Sequence, residues 1–360
     1  MTSERLRALF DEGPPGAPTI GVEEELMLLD PETLDLTPRA AEVLGRLEGD
    51  YRFKPELPAA QLELLTSPVE ELAELAAQLA TGRRDLDAAA SGIGLLAGSG
   101  AHPFADAEGE LNQEEAYRLT REEYGPVARR QLVFGLHVHI RLPGADRSLA
   151  VYNALRSYLP ELAALAANAP LYGGRDSGLA SIRPKISEML PRQGVPPALG
   201  SIDELAAALE WAAACGAAPE PRMWWWELRL HPLHGTIEVR VPDQQTTVGE
   251  TVAIASLVRA LVLDLADRHE AGEDLAVHPS WRIAENRWSA GRHGLDGSMA
   301  DLDSGELTPT RERLAALIER LGAVAARPLV AENGANRQRA WAAEGGVAGA
   351  TRQLADRFLP

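Results

Sequence analysis

The stretch Ile20-Gly21-Val22-Glu23-Glu24-Glu25-Leu26-Met27-Leu28 reads as a strand with two unlike faces. Successive strand side chains point to opposite sides of a sheet. Ile20, Val22, Leu26 and Leu28 form one row, interrupted by Glu24, while Glu23 and Glu25 stand in the other. The same division recurs along the chain. In 136–142, Leu136, Val138, Ile140 and Leu142 alternate with His137, His139 and Arg141. In 235–241, Ile237, Val239 and Val241 alternate with Thr236, Glu238 and Arg240. In 224–230, Trp224, Trp226, Leu228 and Leu230 alternate with Trp225, Glu227 and Arg229, and in 61–65 Glu63 lies opposite Leu62 and Leu64.

Each apolar row suits a helical cover. If the strands share a sheet, the other rows gather Glu23, Glu25, Glu63, Glu227 and Glu238 on one face. Carboxylates so crowded repel and raise one another's pKa values. A divalent cation relieves that repulsion, and an oxygen-rich site suits Mg2+ or Mn2+ better than structural zinc. Magnesium also keeps positions open for phosphate oxygens, which points to ATP. Arg141, Arg229 and Arg240 share that face and suit bidentate capture of phosphate or carboxylate. For any single strand, a polar row is ordinarily a solvated face. Five strands rich in Glu, His and Arg favour a metal and anion site. Glu24 sits in an apolar row, so it belongs either at a sheet edge or beside a buried basic partner.

Around these strands the chain is helix-rich. Apolar spacing predicts helices over 69–90, 111–121, 147–167, 202–214, 248–270, 309–325 and 347–358. Strand signals fall at 18–29, 60–66, 93–101, 132–142, 223–230 and 235–241. His231-Pro232-Leu233-His234-Gly235 reads as a hairpin connection. The stretches 168–200 and 291–308 read as long loops, the kind that often close over a site. No linker is evident, so 1–360 is expected to form one α+β domain, a mostly antiparallel sheet with helices on one face.

Composition narrows the function. Of 360 residues, 35 are Lys or Arg and 53 are Asp or Glu, a formal charge of −18. That balance argues against a general binder of nucleic acid or anionic membrane, which needs a basic footprint. No apolar run approaches the ~20 residues of a membrane span. The charged start MTSERLRALFDEG lacks a signal-peptide core, and Cys215 is the only cysteine, so a reducing cytoplasm is the expected compartment. The chain has no G-x-x-x-x-G-K-[ST] loop, no G-x-G-x-x-G after a strand, no G-x-S-x-G and no H-E-x-x-H. An ATP site must therefore be built on the sheet, with metal ions. His102, His269 and His278 read as structural or surface residues, Trp224-Trp225-Trp226 as packing, and Cys215 as a small buried residue.

The ordered set of motifs resembles the glutamate–cysteine ligases. Gly21-Val22-Glu23-Glu24-Glu25 is similar to their opening G-[IV]-E-x-E strand, and Leu62-Glu63-Leu64-Leu65-Thr66-Ser67-Pro68 to their second acidic strand. Gly135-Leu136-His137 resembles their G-[IM]-H segment, and Ile237-Glu238-Val239-Arg240 their late I-E-[VF]-R strand. Asn168–Arg183 and Asn286–Asp296 resemble one bacterial branch, the carboxylate–amine ligases named glutamate–cysteine ligase type 2. The likeness runs from about residue 18 to the C-terminus.

The resemblance implies a six-stranded antiparallel sheet of the kind found in glutamine synthetase and guanido kinases, with ATP and metal on its concave face. It implies metal binding by Glu23, Glu25, Glu63 and Glu238, with His137 a further candidate. Glu238 and Arg240, with Arg183, are the implied catalytic groups, and Arg175, Arg287 and Arg292 are implied to contact ATP or substrate. The implied reaction activates a carboxylate as an acyl phosphate, which an amine then attacks. Glutamate and cysteine are the default substrates, and a homodimer is plausible on the resemblance. Ala169 and Gln193 stand where the branch commonly has Ser, and Tyr172 where it has Trp, which bears on acceptor identity. Other readings are a ligase for another carboxylate and amine, a guanidino-type phosphotransferase, and a non-enzymatic binding module.

Overall fold

Eleven residues of alternating character make the central strand. In the computed structural model, which describes residues 1–11 and 18–359, β1 (Thr19–Leu29) is joined by β2 (Phe53–Pro55), β3 (Gln61–Leu65), β4 (Leu95–Ala97) and β5 (Leu136–Arg141). A two-stranded ribbon follows, β6 (Leu171–Tyr172) with β7 (Arg175–Asp176). The strands β8 (Leu228–His231) and β9 (Thr236–Val239) complete the sheet, and β10 (Ser298–Ala300) pairs with β11 (Leu307–Pro309) elsewhere. The main sheet runs β2-β3-β1-β5-β9-β8, with β4 paired to the far half of β1, and every pairing in it is antiparallel.

Seven strands therefore replace the expected six. The additional one, Phe53-Lys54-Pro55, is three residues long and carries a proline, which suits an edge and leaves no alternation to read. The 224–230 strand begins only at Leu228, so the three tryptophans precede it. The helix expected over 111–121 lies further on, as a 3-10 turn at Glu115–Tyr117 and a helix over Arg118–Arg129 that passes Gly125-Pro126 with a kink. Helices outside the expected ranges are Ser3–Asp11, Ser280–His293 and the short Ala40–Gly45, Arg183–Ser187 and Arg327–Ala331. Helices Ile202–Ala214 and Val248–Glu270 fall where the spacing puts them. Ser201 and Thr247 cap them by accepting from the Glu204 and Glu250 amides, respectively.

The apolar row of β1 packs into one continuous core that extends from Leu6 to Phe358 and includes Leu75, Leu79, Leu86, Ile254, Leu257 and Leu261 of helices Leu72–Ala90 and Val248–Glu270. Glu24 belongs to this side, fully buried, and its partner is basic: Arg83 reaches it through Nε at 2.9 Å and Nη2 at 2.6 Å. The alternative of a sheet edge is excluded, because β1 is flanked on both sides. Cys215 is exposed at the end of helix Ile202–Ala214, not buried. No helix of the described residues is long and apolar enough to cross a membrane.

Candidate active site

Register, not sequence proximity, builds the site. Glu25 lies opposite Glu63, Glu23 opposite His137, and His139 opposite Glu238, which in turn faces Arg229. These pairings place one acid or imidazole after another across β3, β1, β5 and β9, ending on Arg229 of β8, on the face away from the main core. The face opens into a cleft of about 260 Å³ lined by Glu23, Glu25, Glu63, His137, Arg183 and Arg240, among others.

His137 Nδ1 lies 3.0 Å from Glu23 and 3.3 Å from Arg240 Nη1, so it can donate to the first or accept from the second. His139 Nδ1 meets the Thr236 hydroxyl at 3.0 Å, which turns its Nε2 toward Glu23 at 3.3 Å and Glu238 at 3.7 Å. Both Nε2 atoms are buried without a hydrogen-bond partner. Such orphaned imidazole nitrogens among carboxylates are the donor chemistry of a cation site. Two groups, Glu23-Glu63-His137 and Glu23-His139-Glu238, bring their ligand atoms within 4.8 Å of one another, sharing Glu23. The residues present therefore fit a divalent cation.

The charges are unevenly balanced. Burial alone would raise Glu23, but His139 and His137 outweigh it and hold its carboxyl well below the usual range. Burial likewise opposes the ionised form of Glu238, yet Arg229, Arg240 and His139 hold it well down. Glu63 is pushed well up by burial and by Glu23, Glu56 and Glu25. Glu56 is pushed up to about 7 by burial and the charge of Glu25. The β3 end of the cluster thus carries more carboxylate than the protein's own cations neutralise. Burial and Arg240 depress His137 and favour the neutral imidazole that a metal requires.

Glu238 is already well occupied. Its carboxylate accepts from Arg229 through both oxygens and from Arg240 Nη1 at 2.6 Å. It orients two guanidiniums at the cleft wall and also belongs to the second candidate cation group. Arg183 donates to the Arg240 and Val241 carbonyls, and its Nε is buried without a partner. Gly135 makes room for this arginine, since a Cβ there would collide with the guanidinium, and its amide donates to Glu25.

The remaining arginines stand apart from this cleft. Arg287 is tied to Glu227, Arg292 donates to the Gly178 carbonyl, and Arg141 donates to the Leu9 carbonyl. Arg175 lies exposed on β7. The long loop 168–200 holds a short helix, Arg183–Ser187, and its Leu190, Gln193 and Gly194 border the cleft.

Sequence reading left several lining residues without a role. Glu56 and Tyr117 follow no alternating pattern, because they lie in segments around the edge strand. Trp225 lines the cleft under the Arg192 guanidinium, 5.5 Å from its ring centre, instead of serving only as packing. His139 was visible in the polar row and only its pairing with Glu238 gives it a place. His102, by contrast, accepts from the Phe104 and Ala105 amides and meets the Leu34 carbonyl, a structural role.

A family model described as glutamate-cysteine ligase family 2 matches residues 19–353. The chain belongs to this family. It is thereby placed among the ligases that form carbon–nitrogen bonds. A relative from Rubrobacter xylanophilus, provisionally named glutamate–cysteine ligase 2-3, is 36% identical over 325 residues, covering 89% of this chain and 87% of that one. One from Gloeobacter violaceus, provisionally named glutamate–cysteine ligase 2, is 34% identical over 342 residues, 90% and 92% of the two chains. Among solved structures, the glutamate–cysteine ligase of Francisella tularensis in complex with AMP superposes with a TM-score of 0.69 at 12% identity, covering 97% of this chain and 90% of that one. A bifunctional glutathione synthetase from Pasteurella multocida gives 0.66 at 16% identity, over 99% of this chain and 53% of that one. At such identities the likeness to the two structures is one of fold.

Proposed function

We propose that this family member joins a carboxylate to an amine, coupled to cleavage of ATP to ADP and phosphate, with L-glutamate and L-cysteine the first pair to test. One observation carries the reading. The carboxylates of Glu23, Glu25 and Glu63 and the imidazole of His137, from three strands, converge with the guanidiniums of Arg240 and Arg183 on a single cleft.

In the first step a substrate carboxylate oxygen attacks the γ-phosphorus and the bond to ADP breaks. In the second, the amine nitrogen attacks the acyl carbon, the bond to phosphate breaks, and the nitrogen gives up a proton. Glu23, Glu63 and His137, with Glu25 beside them, would hold Mg2+ or Mn2+, which neutralises charge on phosphate oxygens. Arg240, fixed by Glu238, presents oriented positive charge to the transferring group, and such preorganised charge lowers the barrier. The unpartnered Arg183 Nε suits the substrate carboxylate. The 183–194 segment at the cleft edge limits access of water, which would otherwise hydrolyse an acyl phosphate.

The test measures ADP released from ATP, MgCl2 and L-glutamate with and without L-cysteine, then with a panel of amines, the product being identified by mass spectrometry. Amine-dependent ADP release with an amide product is expected. A phosphorylated product without an amide would mean a phosphotransferase. Failure to bind magnesium–ATP at millimolar concentration would remove the enzymatic reading.

A further inference from the structure

A second cavity, of about 390 Å³, lies behind the wall of the first. The wall is an ion pair. Arg287 grips Glu227 through Nε at 2.9 and 3.0 Å and through Nη2 at 2.7 Å. Glu227 lines the cleft and Arg287 lines the second cavity, while Pro184, Glu188, Gln193 and Gly194 border both. Trp281 and Trp288 line the far side, two turns apart on the helix Ser280–His293. They remain 65% and 49% exposed. Lys185 stands 5.2 Å from the centre of the Trp288 ring and pairs with Glu188 at 2.7 Å. The chemistry above uses neither indole.

Resting on the ligase reading above, we propose that this second cavity receives the side chain of the acceptor, and that the acceptor is a primary amine bearing an aromatic ring. Each indole carries a cation over its ring, Lys185 on Trp288 and Arg282 on Trp281, and the remaining exposed indole surface offers an apolar face for stacking. A volume in the ~300–1,000 Å³ range of small-molecule sites is far more than a cysteine side chain fills. The shared border lets the amine end reach the cleft while the ring stays beside the tryptophans. Gln193, one of the departures from the branch pattern, stands on that border. The chemistry is unchanged: the N–C bond forms, the C–O bond to phosphate breaks, phosphate leaves with the electron pair, and the nitrogen's proton passes to water.

The experiment supplies ATP, MgCl2 and a panel of carboxylates beginning with L-glutamate, and compares hydroxylamine, L-cysteine, L-phenylalanine and phenethylamine as nucleophiles. Hydroxylamine needs no side-chain pocket and traps the acyl phosphate as a hydroxamate. An aromatic amine should exceed cysteine in kcat/KM. Trp288→Ala should lower the ratio of kcat/KM for that amine to kcat/KM for hydroxylamine by about tenfold or more, and Trp288→Phe should recover most of it. Hydroxamate formation with cysteine preferred over both aromatic amines, or with a ratio unmoved by Trp288→Ala, overturns the acceptor proposal and leaves the ligase reading standing. No hydroxamate with any carboxylate overturns both.

Discussion

Glu23, Glu24 and Glu25 are consecutive, yet the sheet sends them into opposite environments. Glu24 points into the helical side, where Arg83, Gln244 Nε2 at 3.0 Å and Thr251 Oγ1 at 2.6 Å all donate to it. Burial opposes its charge, but Arg83 together with Thr251 and Gln244 outweighs burial and holds the carboxyl low. Arg83 is also satisfied, donating to the carbonyls of Gln245, Thr246 and Phe358. On the other face Glu23 shares imidazoles whose Nε2 atoms face carboxylates without a hydrogen bond, and for Glu63 burial and the neighbouring carboxylates outweigh the charge of Lys54. A buried carboxylate whose lone pairs the protein fills is structural. One left in surplus beside unpartnered imidazoles is poised for a cation and its ligand.

That contrast can be broken experimentally. Glu23→Gln should reduce amine-dependent ADP release by about 10²–10³-fold or more, because it removes the ligand common to both candidate cation groups, while the protein still unfolds cooperatively. Retention of activity within tenfold would move the reaction off this face.

Glu24→Gln should do the reverse. It leaves the Arg83 charge buried and unpaired, and the expected cost is about 3–5 kcal/mol in denaturant unfolding. A stability change under about 1 kcal/mol would show that Glu24 and Arg83 do not behave as a closed pair.

The smallest effect concerns protons. Glu56 keeps its proton up to about pH 7 in the folded chain, against an ordinary value of 4.5. The folded state then binds more protons between those values, so metal-free stability falls as pH rises through that window and levels off above it. Magnesium competes with the protons on the cluster. Saturating MgCl2, at about a hundred times its Kd, should stabilise by about 2.7 kcal/mol. The gain should be larger at about pH 8 than at about pH 5.5. Melting curves with and without MgCl2, repeated on Glu63→Gln, check both. A Glu63→Gln protein with the parent's MgCl2 response would exclude this cluster as the binding place.

Much of the site was legible because alternation is local. Glu23, Glu25, Glu63, His137, Glu238 and Arg240 share a face by counting in twos, provided their strands share a sheet. Glu56, Tyr117 and Trp225 were not legible, since they enter the cleft from the edge strand's turn, a 3-10 segment and the approach to β8, none of which has a period. The helix Ser280–His293 escaped because its buried positions include Asn286 and Arg287, polar residues that mask an amphipathic pattern. Its indoles and Arg287 could not be linked to the cleft from composition.

Sequence by itself determined which side chains each strand offers to each face, because the period of an extended backbone is a covalent property. Tertiary structure alone decided who stands across from whom: Glu25 against Glu63, Glu23 against His137, Glu238 against His139 and Arg229. Those pairings come from strand order and register between segments as far as 114 residues apart, and charge balance depends on such neighbours, which no local pattern encodes.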